Sequence, residues 1–439
     1  MADSRSHMAL ARGAPTYRER PGPEQGQGRP DYLGDARRPR RIVLYSHDTQ
    51  GLGHMRRNLL LARTLLRLSP RPNILLIGGA RELGALAIPE GIDCLTLPAL
   101  HKERDGAYRP RSLSISLRRI IGLRAGAIEA TVASYDPDLL IADKVPLGAF
   151  GELEPTLRWL RARGRARCVL GLREILDEPG VVRREWAASG GDGAVDAYYD
   201  QIWVYGDPRV CDPASEYGFG PAVAAKLVHT GYLDRGAFLA DGPEAEAALL
   251  AQLDVPAEAR LALCCVGGGQ DGFTLARAFA RAALPEAMVG VILAGPFMPL
   301  AERLQLEQIV ARRPQLRLAA FVEEPGPLLR RADAVVAMAG YNTVCEIMAL
   351  GRRALLVPRV QPRREQLIRA RRLRDLGLVD MLHPRRLSAP AIAAWLAAAP
   401  AAPPEVRARL DMGALDRLPD MVRRLAAGRP QLKEITCAD

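Results

Sequence analysis

Residues 41–66 read RIVLYSHDTQGLGHMRRNLLLARTLL, and the order of patterns in this stretch decides the fold class. The apolar run 42–45 is typical of a short buried strand, whereas 55–68 carries apolar residues at helical spacing. The loop between them contains glycine and histidine. A strand that passes through a glycine-bearing loop into a helix predicts a parallel sheet covered by helices.

The same order of strand, loop and helix recurs along the chain and restarts in its second half. Further strands are predicted at 73–78, 94–97, 138–141, 167–170, 201–204, 260–266, 289–294, 316–321, 334–337 and 354–357. Helices are predicted around 111–134, 152–163, 243–253, 273–283 and 403–426. This alternation predicts two similar α/β units that face each other. The expected boundaries are a disordered leader at 1–40, domains at 41–234 and 235–395, and a C-terminal helix and tail at 396–439.

Composition and charge limit the classes of partner. Of the 439 residues, 48% are hydrophobic and 25% are charged, which is typical of a globular protein. The net charge of +11 comes almost entirely from arginine, and only 5% of residues are aromatic, so a nucleic acid partner is not expected. Scattered cysteines without a CxxC motif favour reduced thiols in a cytoplasmic protein. We expect any membrane contact to be peripheral, because no apolar run has the length of a spanning helix.

The first candidate site is the loop 46–54, which reads SHDTQGLGH. Its glycines, Gly51 and Gly53, allow backbone N–H groups to approach a ligand, and the helix that follows presents its positive end to an anion. In one alternative, His47 and His54 only cap backbone groups in a tight turn. In another, His47, Asp48 and His54 bind a metal, although their spacing matches no metal signature.

The second candidate is the loop 267–272, which reads GGGQDG between a predicted strand and a predicted helix. It satisfies the GxGxxG pattern formally. A dinucleotide site also requires an acidic residue about 20 positions later, and the next strand ends without one. We therefore expect Gly268, Gly269 and Gln270 to hold a phosphate or a sugar.

The third candidate combines FVEE at 321–324, AGYNTVCE at 339–346 and the pair Glu365-Gln366. Gly340 opens a predicted helix whose first N–H groups can hold a diphosphate. Glu346 lies about one turn further and can accept hydrogen bonds from both hydroxyls of a ribose. The alternative is a helix capping box formed by Thr343 and Glu346.

Residues 321–370 resemble the donor-binding region of the two-domain glycosyltransferases of the MurG type, with a family 28 type C-terminal domain. These are the peptidoglycan N-acetylglucosaminyltransferases and their uncharacterised relatives, known as predicted glycosyltransferases. The loop 267–270 is similar to the GGSQG loop of that family, and 51–54 is more loosely similar to its GGTGGH loop. The resemblance implies the GT-B fold, with the donor bound by the second domain and the acceptor by the first.

Residue by residue, the resemblance implies that the backbone near Val322 meets the base and that Glu346 holds the ribose. The pyrophosphate would meet Gly340, Tyr341, Asn342 and Thr343, and the donor sugar would meet Glu365 and Gln366. Gly269 stands where the family has serine, and Glu365 where it has glutamine, so the sugar need not be N-acetylglucosamine. Asp143-Lys144 and the stretch 172–177 match the uncharacterised relatives better than the peptidoglycan enzymes.

The function expected from these motifs is inverting transfer of a sugar from a nucleoside diphosphate sugar, UDP-linked, without a metal or cofactor. His54 is the expected general base and Asp48 the second candidate. The acceptor is expected to be a glycan, a lipid-linked molecule or a small molecule, bound by His47, Gly51, Gly53, Lys144 and Arg173. The expected location is the cytoplasm, compatible with contact at the inner face of the membrane.

Two alternatives remain open at this point. A nucleotide-sugar 2-epimerase shares the architecture but needs acid and base carboxylates beside the sugar, and it makes a new isomer without an acceptor. A non-catalytic sugar-nucleotide-binding subunit does not need His54. The basic stretch 109–124 is predicted to be helical and is compatible with an anionic membrane surface, although a solvated helix face also explains it. Its residues are Arg109, Arg111, Arg118, Arg119 and Arg124 beside Leu113, Leu117, Ile120 and Leu123.

Overall fold

The structure is a computed structural model and describes residues 39–47, 53–79, 88–102, 108–238, 242–322, 324–399 and 404–427. Residues 1–38 of the predicted leader, together with Asp48 and Gly51, lie outside these residues. Within them, no helix combines the length and hydrophobicity that crossing a bilayer requires.

The first sheet has seven parallel strands in the order β3-β2-β1-β6-β7-β8-β9. Its strands are β1 Arg41–Ser46, β2 Asn73–Gly78, β3 Ile92–Thr96, β6 Leu139–Asp143, β7 Arg167–Arg173, β8 Gln201–Tyr205 and β9 Leu227–His229, while β4 Leu100–Lys102 and β5 Tyr108–Pro110 form a separate antiparallel pair. Its helices are α1 Gly53–Leu65, α2 Leu117–Tyr135, α3 Glu154–Arg163, α4 Pro179–Ala188, α5 Gly191–Tyr198, α6 Pro213–Tyr217 and α7 Pro221–Ala225. Because helices cover both faces of the sheet, the central strands are apolar without alternation, and the interior of β1 is fully buried.

The second sheet has six parallel strands in the order β12-β11-β10-β13-β14-β15. Its strands are β10 Arg260–Cys265, β11 Met288–Leu293, β12 Leu316–Ala319, β13 Ala334–Ala337, β14 Ala354–Leu356 and β15 Asp380–Met381. Its helices are α8 Pro243–Gln252, α9 Phe273–Arg281, α10 Leu300–Val310, α11 Gly326–Arg331, α12 Tyr341–Ala349, α13 Glu365–Asp375 and α14 Ala389–Ala397. The strand order is that of a Rossmann fold, so the predicted α/β class with two parallel sheets is confirmed.

Strand order reverses once in each sheet, between β1 and β6 in the first and between β10 and β13 in the second. In open parallel sheets, ligands bind outside the carboxyl ends of the strands at such a switch point. The predicted motif loops follow β1, β10 and β13. The two switch points therefore place the motifs of both domains at ligand-binding edges.

The C-terminal segment returns to the first domain. Residues predicted as one helix at 403–426 form two, α15 Val406–Arg409 and α16 Ala414–Ala427. The break occurs because the chain between them pairs with the linker: Tyr232 N donates to Asp411 O across 2.8 Å, and Leu233 bridges Gly413. Helix α16 then packs against α1.

The basic stretch 109–124 differs from its prediction. Arg109 lies in β5, and α2 begins only at Leu117, where the Ser116 side chain caps it. Arg124 is completely buried and pairs with Glu152, so it is not part of a membrane-facing surface. The membrane hypothesis stays a prediction for the exposed residues of this segment.

Arginines at and before helix α13 hold the second domain against the first. Nε of Arg369 donates to Oε1 of Glu174 across 2.6 Å, and neither side chain is exposed. Arg363 and Arg372 reach other carboxylates of the first domain. Such buried pairs are costly to break because a lone buried charge remains. The pairs therefore fix one wall of the cleft between the sheets.

Candidate functional site

A cavity of about 300 Å³ lies between the two sheets. The first domain lines it with Gly53, His54, Arg56, Arg57 and Arg173. The second domain lines it with Cys265, Gly267, Gly268, Leu293, Gly295, Pro296, Phe297, Phe321, Val322, Pro325, Leu329, Gly340, Tyr341, Asn342, Thr343 and Glu346. This size is within the range of small-ligand pockets.

Predicted site residues from both domains meet in this cavity. Those that line it are Gly53, His54, Arg173, Gly268, Val322, Gly340, Tyr341, Asn342, Thr343 and Glu346. Those that do not line it are His47, Lys144, Gly269, Gln270, Glu365 and Gln366. The two motif loops touch directly, because Nδ2 of Asn342 donates to Gly53 O across 3.0 Å.

Helix α12 begins at the cavity with Gly340 as its N-cap, and no side chain caps it. Thr343 is the third residue of the helix rather than its cap, so the capping-box interpretation of Thr343 and Glu346 is wrong. The first N–H groups of α12 are left for a ligand. The Tyr341 side chain points elsewhere, since its hydroxyl donates to Tyr205 O across 2.9 Å.

The glycine loop after β10 packs against the loop after β11. Gly269 has φ +94°, and a Cβ there would lie 2.3 Å from Ala294 O. Serine, which the resembling family has at this position, does not fit this conformation. Gly269 therefore serves the close packing of the two loops, while Gly268 lines the cavity.

Glu346 lies in α12 with 5% of its side chain exposed and bonds to Arg235 through Oε1. The other nitrogen of Arg235, Nη2, donates to Oε2 of Glu324 across 2.8 Å. Burial raises the pKa of Glu346, and Arg235 acts in the opposite direction. Glu346, the carboxylate predicted to hold a ribose, thus lies at the cavity wall, and one of its oxygens is paired with Arg235.

His54, Asp143 and Arg57 form a hydrogen-bonded cluster on the opposite wall. Nδ1 of His54 lies 2.6 Å from Oδ2 of Asp143, and Nη2 of Arg57 donates to Oδ1 of that carboxylate across 2.6 Å. Burial raises the pKa of Asp143, but Arg57 and His54 outweigh it and hold the pKa well below its usual range. Because Asp143 is ionised, we assign the imidazole proton to Nδ1, which leaves a lone pair on Nε2.

The imidazole of His54 is neutral at pH 7. Burial lowers its pKa to about 4, while Asp143 opposes the shift and Arg57 and Arg173 add to it. His47 lies beside it, with 5.2 Å between the ring centroids, and burial likewise lowers the pKa of His47 well below its usual value. Asp48 is outside the described residues, and the remainder holds no cluster of three side chains suited to a metal.

Lys144 follows β6 and Arg173 ends the neighbouring strand β7, so both lie at the carboxyl edge of the sheet. No hydrogen bond among the described residues involves either side chain, and Nε of Arg173 is buried without a partner. Burial lowers the pKa of Lys144 to about 8, and Arg173 acts in the same direction. Glu365 stabilises both positive charges without a direct ion pair, and an anionic ligand beside the two cations would add to this effect.

Glu365 and Gln366 begin helix α13 and do not line the cavity. Oε1 of Glu365 accepts from Arg359 across 2.7 Å, whereas its Oε2 is buried and has no partner among the described residues. Gln366 accepts from the backbone N of Arg359. Their predicted contact with the donor sugar stays a prediction.

Sequence reasoning missed three functional candidates: Asp143, Arg57 and Arg235. Arg57 lies one turn after His54 on α1, a spacing that places two side chains on one helix face. Asp143 ends β6, an apolar strand next to β1. A carboxylate at the carboxyl end of an apolar strand is a sequence signal that predicts a site residue. Arg235 belongs to no sequence motif. Its contact with Glu346 spans 111 positions, so no local pattern indicates it.

Comparison with known proteins agrees with this architecture. The model of the glycosyltransferase family 28 C-terminal domain matches residues 289–398. A UDP-N-acetylglucosamine--N-acetylmuramyl-(pentapeptide) pyrophosphoryl-undecaprenol N-acetylglucosamine transferase of Paramagnetospirillum magneticum is 33% identical over 147 residues. That match covers 31% of this chain and 36% of the relative, so the chain spans about a third of it.

Solved structures with the same fold cover most of this chain. The calicheamicin glycosyltransferase CalG4 has a TM-score of 0.56 at 20% identity, covering 89% of this chain and 99% of that protein. MurG of Acinetobacter baumannii has a TM-score of 0.54 at 12% identity, with 88% and 100% covered. A UDP-GlcNAc 2-epimerase from Neisseria meningitidis bound to UDP-GlcNAc has a TM-score of 0.57 at 11% identity, with 89% and 100% covered. Residues 289–398 are therefore similar to a glycosyltransferase family 28 C-terminal domain, and they lie within a chain that has the GT-B fold.

Proposed function

We propose that this protein is an inverting glycosyltransferase that uses a UDP-linked sugar as donor. The single observation that carries the proposal is the position of the His54–Asp143 pair across one cavity from the N-terminus of α12 and Glu346. The family 28 match covers the donor side of this cavity from Leu293 to Glu346. The relative from Paramagnetospirillum is a transferase that takes its sugar from a UDP sugar.

The donor is held by the second domain. The backbone at Phe321 and Val322 lines the end of the cavity where the uracil would lie, and Glu346 accepts from the ribose hydroxyls. The diphosphate faces the N-terminus of α12 at Gly340, where N–H groups and the helix dipole favour negative charge. Arg173 on the opposite wall supplies a further positive charge.

The chemical step is a single displacement at the anomeric carbon. An acceptor hydroxyl attacks this carbon as its proton passes to Nε2 of His54, and the bond to the β-phosphate oxygen breaks. Asp143 stabilises the imidazolium that forms and fixes the tautomer. The leaving diphosphate is stabilised by preorganised N–H groups and cations, which act most strongly where charge develops. The proposal requires no metal or cofactor.

The acceptor is expected to carry an anionic group. Lys144 is not among the residues that line the donor cavity, yet it lies beside Arg173 and interacts with the charge of His47. A phosphate or carboxylate on the acceptor would stabilise the ammonium group of Lys144 and orient the attacking hydroxyl. A lipid-linked diphosphate and an acidic glycan both have this chemistry.

A 2-epimerase is the second candidate, since an enzyme of that name has the same fold. Proton transfer at a sugar carbon requires acid and base groups next to the sugar. Glu346 is the one carboxylate among the described residues that line the cavity, and Arg235 pairs with it. Transfer to an acceptor therefore agrees better with the site.

Removal of the Glu346 carboxylate tests the donor site. Glu346→Ala is expected to weaken UDP binding by about 1.5–3 kcal/mol, the usual value of hydrogen bonds to a charged group. Isothermal titration calorimetry measures this change, and Glu307→Ala, at an exposed position on α10, is the control. Unchanged UDP affinity in Glu346→Ala would remove the residue from the donor site.

A further inference from the structure

Arg235 bridges two carboxylates on the nucleotide side of the cavity. One guanidinium nitrogen bonds to Oε1 of Glu346 and another to Oε2 of Glu324, at 2.8 Å for the second pair. The three side chains are 14%, 5% and 29% exposed for Arg235, Glu346 and Glu324. The bridge is therefore largely shielded from water, where ion pairs are stronger than at the surface.

The bridge connects three parts of the molecule. Arg235 begins the short 3-10 helix Arg235–Phe238, which follows the linker from the first sheet. Glu324 lies two positions after Val322, in the loop that lines the base end of the cavity. Glu346 lies in α12. A single side chain thus ties the linker to the two elements that would hold the nucleoside.

The charges explain why an arginine is needed at this place. Two carboxylates close together disfavour each other's ionised form, and burial adds to this effect for Glu346. Arg235 opposes both effects. Its contact uses only Oε1 of Glu346, and Arg56, which lines the same cavity, adds a further attraction to this carboxylate. A carboxylate at a cavity wall whose Oε2 lies outside this bridge is a suitable acceptor for vicinal hydroxyls.

We propose that Arg235 is a positioning residue for nucleotide recognition, which holds Glu346 in the orientation and charge state that bind a ribose. This inference rests on the proposed function, in which Glu346 meets the ribose of a UDP sugar. Arg235 acts through Glu346 and does not itself contact the nucleotide. Its planar, bidentate guanidinium suits the two-carboxylate bridge, whereas a lysine ammonium is a point charge.

Calorimetry with two nucleotides tests this role on the full chain. UDP and 2′,3′-dideoxy-UDP are titrated into the wild type, Arg235→Gln and Arg235→Lys. We expect the wild type to prefer UDP by about 10- to 100-fold, since loss of hydrogen bonds to a charged group has this effect. Arg235→Gln should lower that preference to near unity while dideoxy-UDP binds almost as before. Arg235→Lys should retain part of the preference.

A matched control is an arginine of α15 that pairs with the same linker. Arg407 pairs with Asp234, the residue before Arg235, but is 65% exposed and does not line the cavity. Arg407→Gln should leave the preference for UDP unchanged. Thermal melts of every variant confirm that each is folded at the temperature of titration.

The other outcomes would overturn the inference. Equal weakening of UDP and dideoxy-UDP by Arg235→Gln would show that Arg235 contacts the diphosphate or supports the fold generally. A UDP preference that persists in Arg235→Gln would show that Glu346 does not need Arg235. A wild type that binds UDP without preference over the dideoxy analogue removes Glu346 from ribose binding, and one that binds neither contradicts the proposed donor as well.

Discussion

His54→Ala is expected to lower the rate of sugar transfer by about 10²–10⁴-fold, the usual contribution of a general base. Its affinity for UDP should remain nearly unchanged, because the donor is held by Glu346 and α12 on the other domain. Steady-state rates with a transferable acceptor, together with UDP calorimetry, measure the two effects. His54→Asn retains a hydrogen-bonding group without basicity, so it should be as slow as His54→Ala.

A matched control for this substitution is His229→Ala. His229 also faces a carboxylate, Asp212 at 3.4 Å, but it does not line the cavity. The His229→Ala variant should transfer sugar at the wild-type rate. Wild-type turnover in His54→Ala would contradict the assignment of the base, and a fast His54→Asn would assign His54 to positioning rather than proton transfer.

Asp143→Asn should lower turnover by about 10²–10⁴-fold, since loss of a buried carboxylate that orients a histidine disrupts its tautomer. Asp143 also raises the pKa of His54. Without the Asp143 carboxylate, the pKa of His54 falls below its value of about 4, and the imidazole becomes a poorer proton acceptor. The same change leaves the buried Arg57 without its partner, which typically costs about 3–5 kcal/mol of stability.

These two effects of Asp143→Asn are separated by a matched salt-bridge variant. Asp200 pairs with Arg167 at 2.8 Å, just before β8 and therefore at the amino edge of the sheet. Asp200→Asn should lose stability without losing turnover. The turnover rates of the two variants are compared below the melting temperature of both. UDP binding shows that each variant is folded. If Asp143→Asn is destabilised but turns over like the wild type, Asp143 has a structural role only.

The pH dependence of the wild type follows from the same site. The base is active when His54 is neutral, so kcat/KM should not fall between pH 8 and pH 5. It should fall as the pH drops through about 4. An ordinary exposed histidine would instead lose activity near its usual pKa of about 6.5.

The fold was predictable because its central strands are continuous apolar runs. The predicted strand at 73–78 coincides with Asn73–Gly78, and the prediction at 167–170 differs from Arg167–Arg173 only at its end. The three-residue strands β4 and β5 were missed, because so few residues show no periodicity. The segment 111–116 was predicted helical because apolar spacing continues there, but the Ser116 cap begins the helix later.

The site was predictable where a motif lies in one loop and not where residues meet through the fold. His54 and Glu346 lie in the first turns of helices that follow glycine-bearing loops, and the structure brings both to the cavity. Asp143 and Arg235 reach these residues across 89 and 111 positions. No local spacing can show such contacts. They follow only from the strand order and from the path of the linker.

Transfer of labelled sugar tests whether this protein is a glycosyltransferase that uses His54 as its base. A set of UDP-sugars labelled in the sugar is incubated with the wild type and with His54→Ala, alone and with a mixture of phosphorylated, carboxylated and lipid-linked glycan acceptors. We expect the wild type to release UDP and to label an anionic acceptor only when acceptors are present. We expect His54→Ala to do so far more slowly. A new isomer of the UDP-sugar formed without any acceptor, or equal transfer by both proteins, would contradict these expectations.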